Sequence, residues 1–267
     1  ERCTPPVSTI SVSIVGALLA LAGFYIPIAL AEHAGQLMLL AFDRFDDRPA
    51  RDIRLIGNSR TYLNDMPYMI RAMADSARSP DKLEIKVLAT DGASLEQQWS
   101  DTTVQQALAK TWQTVVLQPE SRAQSGETER ASFFQFAKQF AAHIQAEHTA
   151  FMVNWAYDTP AYPDGADGRA RHVALIENDY RTMATQTGAD LTYVSRAWDL
   201  VRAEQPGFSL YLDGNHPTIY GSYLAALMIY AYLSDSDGSA VSYIPAPMSA
   251  ADAARIKAGV AQALRRQ

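Results

Sequence analysis

From Arg51 onward, short apolar runs alternate with longer amphipathic stretches. Ile53 to Ile56 predicts a strand, closed by Gly57-Asn58-Ser59. Leu83 to Ala89, Thr114 to Leu117, Thr149 to Asn154 and Asp190 to Val194 predict four more, each apolar or β-branched and bounded by turn residues. Between them the apolar positions recur at helical spacing. Helices are expected over Tyr68–Ala77, Leu95–Lys110, Ala131–Glu147, Arg171–Thr187, Ile219–Leu233 and Ser249–Arg265. Strands that alternate with helices imply a parallel sheet covered on both faces. The expected fold is a three-layer α/β sandwich with about five parallel strands. In such sheets functional groups gather at the carboxyl ends of the strands.

The start of the chain follows another pattern. Val7 to Ala31 contains no charged residue. About 25 residues at about 1.5 Å each reach across a hydrocarbon core of about 30 Å. The segment is read as a helical signal anchor that holds the protein to the bacterial cell envelope, facing the periplasm or the exterior. A signal peptide cleaved after Ala29-Leu30-Ala31, giving a secreted protein, and a buried core helix are the alternatives. Gln36 to Phe42 is apolar but too short to span, and a charged linker from Asp43 to Pro49 follows. The expected division is residues 1–48 as anchor or signal segment with linker, and 49–267 as one globular domain.

Composition narrows the function classes. Of 267 residues 48% are hydrophobic and 19% charged, an ordinary globular balance. The net charge is -6, without a Lys/Arg stripe, which argues against a nucleic-acid partner. The single cysteine, Cys3, can form neither an internal disulfide nor a thiolate metal cluster. His143 and His148 stand five apart, a poor spacing for sharing a metal, and the sequence has no His-Glu-x-x-His, Gly-rich phosphate loop or dinucleotide fingerprint, so neither a metal nor an organic cofactor is expected.

Two places carry chemistry. Ser59 follows the first strand directly, where a hydroxyl at the sheet edge faces a cleft and free backbone N–H groups of a starting helix can stabilise an oxyanion. An ordinary helix-capping serine gives the same pattern. Near the other end, Asp213-Gly214-Asn215-His216-Pro217 sets an Asp three residues before a His. A short turn there can hold the carboxylate against the imidazole and leave the other ring nitrogen for the serine. A polar turn with a surface histidine is the alternative.

Gly57-Asn58-Ser59 after the first strand, together with Asp213-x-x-His216-Pro217 before a helix, resembles the GDSL/SGNH hydrolases over about Ile53 to Tyr232. The resemblance implies an SGNH/flavodoxin-like fold and a triad of Ser59, His216 and Asp213. It implies oxyanion donors at the backbone of Ser59 and at Gly92, in Thr90-Asp91-Gly92-Ala93-Ser94. The family's Gly-x-Asn-Asp block after the third strand is absent; the chain reads Leu117-Gln118-Pro119-Glu120-Ser121. Gln118 carries an amide NH₂ and is assigned the third donor, whereas an ionised Glu120 cannot donate. Glu120 is expected to turn to Arg122 or a backbone N–H. Weaker candidates for substrate contact are Asn58, Arg60, Trp155 and Tyr157, with Tyr162 and Arg122 beside them. The resemblance further implies a serine esterase acting on a small-molecule or polysaccharide ester, above all an acetyl ester on a carbohydrate. An O-acyltransferase built on the same residues and a non-catalytic glycan-binding module are the rival readings.

Overall fold

The computed structural model describes residues 46–204 and 207–266. The apolar segment Val7–Ala31 and the stretch Gln36–Phe42 lie outside them. Among the described residues no helix is long and apolar enough to cross a membrane.

Five parallel strands form one sheet: β1 (Ala50–Gly57), β2 (Lys82–Ala89), β3 (Thr111–Leu117), β4 (Gln145–Met152) and β5 (Asp190–Thr192). Their spatial order is β2-β1-β3-β4-β5. In β1 the burial alternates in direction with the pleat. Ile53 and Leu55 join Leu83, Val116 and Met152 in one core, while Ile56 joins Val115, Leu117, Phe151 and Val153 in the other. A strand buried on both faces reads as a continuous apolar run, which is why Ile53–Ile56 stands out in the sequence.

The short α1 (Ser59–Tyr62) follows β1 directly and leads into α2 (Met66–Ser76). On the other face lie α3 (Leu95–Trp99), α4 (Thr102–Leu108), α5 (Glu127–His143) and α6 (Gly165–Thr187). The first face is completed by α7 (Val194–Ala203), α8 (Ile219–Ser234) and α9 (Ala250–Leu264). Helix α8 is buried on nearly every side because it is packed among α2, α7 and α9. That accounts for its apolar composition without a membrane.

The three-layer sandwich and the five parallel strands match the expectation; several elements differ locally. The single helix expected over Leu95–Lys110 breaks in two at Asp101, whose carboxylate accepts from the N–H groups of Thr103 and Val104 and starts a new helix. The helix placed over Ala131–Glu147 starts and ends earlier, and Glu147 belongs to β4. Helix α7 has no counterpart in the expected elements, and α6 begins at Gly165, ahead of the expected start at Arg171. The chain reverses its strand order between β1 and β3, which opens a crevice at their carboxyl ends. Ser59 leaves β1 at that crevice, and Gln118 to Ser121 leave β3 beside it.

Candidate active site

The turn after β1 is held tightly. Asn58 has extended backbone and caps α1, its side-chain oxygen accepting from the Arg60 N–H at 3.2 Å. Its Nδ2 donates to the Ala93 carbonyl at 3.2 Å, which ties β1 to the turn after β2. Gly57 is needed for close approach: a Cβ there would stand 2.3 Å from Thr61 Oγ1 and 2.6 Å from Gln118 Oε1. Ser59 is therefore presented at the first position of α1, with its backbone N–H unpartnered among the described residues.

The C-terminal turn arrives from the opposite side. Tyr211 pairs with Pro217 in an antiparallel bridge, and the Leu212 N–H donates to the His216 carbonyl at 2.8 Å. Gly214 takes a φ of 83°, a left-handed conformation suited to glycine. The turn folds the Asp213 carboxylate onto His216: Oδ2 lies 2.7 Å from Nδ1, and Oδ1 accepts from the N–H groups of His216 at 2.7 Å and Asn215 at 2.9 Å. The other imidazole nitrogen, Nε2, lies 3.1 Å from Ser59 Oγ. Ser59, His216 and Asp213 thus form one continuous hydrogen-bonded chain. Partial burial works to raise the Asp213 pKa, but the bonds from the His216 side chain and from the two N–H groups outweigh it and hold the carboxyl at about 2. Nδ1 is accordingly fixed as the donor and Nε2 as the acceptor facing the serine hydroxyl.

Gly92 lies in the exposed turn after β2 with a φ of 63°, and its N–H has no partner among the described residues. Gln118 is where the structure departs from expectation. The side chain is buried beneath the turn that carries Ser59, with Oε1 accepting from the Asn58 N–H at 2.9 Å and from Thr61 Oγ1 at 2.8 Å. Its Nε2 is engaged by the Pro119 carbonyl and by Asn154 Oδ1. Both amide hydrogens have protein acceptors, so Gln118 supports the turn rather than donating to an oxyanion. Glu120 is buried and accepts from the Leu95 N–H at 3.3 Å; burial pushes its pKa up.

Three of the four weaker candidates are also corrected. Asn58 is 3% exposed and spends its side chain on the cap and on Ala93. Arg60 is 1% exposed, and Trp155 is stacked on Trp198 with ring centroids 4.1 Å apart and planes 4° apart. These side chains are packing and support, not cleft surface. Burial draws the Arg60 pKa down to about 10, which leaves the guanidinium charged at neutral pH. Tyr157 remains half-exposed, its hydroxyl 3.0 Å from Ser121 Oγ across the ends of β3 and β4. Arg122 is exposed, while Tyr162 is bonded to His172.

A DUF4886 family protein from Bacteroides uniformis superposes with a TM-score of 0.68 at 16% identity, covering 81% of this chain and 95% of that one. A protein described as an SGNH hydrolase, from Slackia heliotrinireducens, gives 0.53 at 23% identity, with 69% and 99% covered. The fold is that of the SGNH hydrolases. An acetyl xylan esterase from Geobacillus stearothermophilus shares it, with a TM-score of 0.54, 13% identity, and 71% and 97% covered. By sequence, no family model and no curated protein matches the chain. Within the SGNH fold, Ser59 and the Asp213–His216 turn stand at the crevice between β1 and β3.

Sequence reasoning passed over Asn215, Thr61, Asn154 and Asn64. Asn64 Nδ2 donates to the Pro217 carbonyl at 3.1 Å and to Ser222 Oγ at 2.9 Å, bracing the end of the histidine turn. Its left-handed φ of 56° is of a kind Asn tolerates, the one local signal it carried.

Proposed function

We propose that this protein is a serine esterase. Ser59 is the nucleophile, His216 the general base and Asp213 the group that orients and stabilises the imidazolium. The observation that supports this most directly is the unbroken hydrogen-bond chain from Asp213 Oδ2 through the His216 ring to Ser59 Oγ. As Oγ attacks the ester carbonyl, Nε2 takes its proton. The carbonyl oxygen becomes an oxyanion that meets the unpartnered N–H groups of Ser59 and Gly92. His216 then returns the proton to the leaving alkoxide, and the acyl group stays on Ser59. Water, deprotonated by the same imidazole, attacks the acyl-enzyme; the acyl–Oγ bond breaks, the imidazolium returns the proton to Ser59 Oγ, and the acid is released.

The substrate we infer is an acetyl ester on a carbohydrate, supported by the fold shared with an acetyl xylan esterase. We place the reaction at the cell envelope, on the strength of the uncharged Val7–Ala31 segment alone. The experiment is hydrolysis of a simple acetyl ester by the wild type and by Ser59→Ala, with and without a glycan acceptor. Turnover lost with Ser59 supports the reading. Acyl transfer that requires the acceptor would make the protein a transferase, and activity unchanged in Ser59→Ala would remove the nucleophile assignment.

A further inference from the structure

The residue after the nucleophile is a buried cation without an acid. Arg60 is 1% exposed, and no carboxylate lies within ion-pair distance of it among the described residues. Leaving a guanidinium inside a fold unpaired by charge is costly. Arg60 instead spends its donors on neutral acceptors. Nη1 donates to the Trp155 carbonyl at 2.8 Å and Nη2 to Asn215 Oδ1 at 2.6 Å, while Nε has no partner among the described residues. Its Cζ lies 4.4 Å from the centre of the Trp155 ring. Trp155 Nε1 in turn donates to the Asn215 carbonyl at 3.0 Å. Asn215 is thus gripped twice, by side chain and by backbone, and it is the residue immediately before His216.

We infer that Arg60, through Asn215, is a positioning residue that fixes the His216 imidazole against Ser59; this rests on the esterase reading above. Arg60 is covalently next to Ser59, and Asn215 is covalently next to His216. The bond between them is therefore a second tie between the same two loops, alongside the Ser59–His216 bond itself. The histidine turn needs one. The Asp213 side chain is 51% exposed and that of His216 30%, and turns with so little burial open readily. A planar fork reaches acceptors on two different elements at once, the exit of β4 and the histidine turn, which a single ammonium does not do as well. The stacked Trp155–Trp198 pair supplies the rigid floor on which the guanidinium rests.

The test measures kcat, KM and melting temperature on an acetyl ester for Arg60→Met, Arg60→Lys, Asn215→Ala, Asn215→Asp and the double variant Arg60→Met with Asn215→Ala. It also follows the low-field N–H proton resonance of the His216–Asp213 bond. Methionine replaces an acid-less buried charge with an apolar chain of similar reach, so folding is retained. A misplaced base predicts a fall in kcat of about a hundredfold for Arg60→Met, with KM within about threefold of wild type. The double variant falls no further than the worse single one, since both cut the same tie. Arg60→Lys loses less than Arg60→Met. Asn215→Asp, which keeps the acceptor, recovers most of what Asn215→Ala loses. The low-field resonance broadens in Arg60→Met and in Asn215→Ala. Additive losses, or a lowered melting temperature with kcat and the resonance intact, would make Arg60 merely structural and overturn the inference. If hydrolysis proves independent of Ser59, the esterase reading fails on its own and the resonance still decides whether Arg60 holds the imidazole.

Discussion

In Gln118→Leu the side chain keeps most of its volume and loses every polar atom. The Asn58 N–H, bonded at 2.9 Å, then lies in a buried site with no acceptor, and Thr61 Oγ1 loses its partner at 2.8 Å. An orphaned buried N–H costs about 1–3 kcal/mol and a lost neutral side-chain bond about 0.5–1.5 kcal/mol. On the other side of the amide the loss is softened, because Asn154 Nδ2 still donates to the Pro119 carbonyl. The total is about 2–4 kcal/mol, or a melting temperature lower by about 10 °C in a domain of this size. An oxyanion donor would leave a different trace: stability kept, and kcat reduced by about a hundredfold to a thousandfold. Thermal unfolding and steady-state kinetics on the same preparation separate the two. The structure predicts the large drop in melting temperature, with kcat of the folded fraction within about tenfold of wild type. An unchanged melting temperature with a hundredfold loss of kcat would refute the supporting role and return Gln118 to the oxyanion hole.

Two further substitutions probe the turns on either side of the crevice. Gly57→Ala forces a Cβ to within 2.3 Å of Thr61 Oγ1 and 2.6 Å of Gln118 Oε1; it should cost about 1–3 kcal/mol in denaturant unfolding and reduce turnover by displacing Ser59. Asp213→Asn should lower kcat by up to about ten-thousandfold, because the amide no longer fixes the imidazole tautomer or stabilises the imidazolium. The depressed Asp213 pKa also sets a stability window. Its contribution is fully present above the ordinary carboxyl value of 3.8 and is lost as the pH falls toward about 2, so the wild-type advantage over Asp213→Asn in acid unfolding should disappear across that interval. Half-exposure of the carboxylate keeps that contribution small.

How much of this could be read from the chain depends on the range of the interactions. The strands were legible because Ile53–Ile56 and Thr149–Asn154 are short apolar runs between turn residues. Ser59 and Asp213-x-x-His216 were legible because each depends on a few adjacent residues. The break at Asp101 was written locally as well, in Ser100-Asp101-Thr102, but the apolar spacing on either side hid it. Helix α7 went unread because only Tyr193 separates the three residues of β5 from Val194-Ser195-Arg196, leaving no turn signal between them. Gln118 shows the deeper limit. A side-chain amide can donate or accept, and the choice was made by the Asn58 N–H, 60 residues away in sequence. Arg60 adjoins Ser59 in sequence and Trp155 is an aromatic just past the fourth strand, which suggested contact with substrate; packing against Trp198 and Asn215 decided otherwise.

In the esterase reading, Ser59 Oγ, activated by His216, is the nucleophile. Treating the full-length protein with a fluorophosphonate and locating the adduct by peptide mass spectrometry tests it directly. One adduct is expected, on Ser59, absent from Ser59→Ala and formed far more slowly in His216→Ala. An unlabelled wild type, or an adduct on another residue that persists in Ser59→Ala, would contradict it.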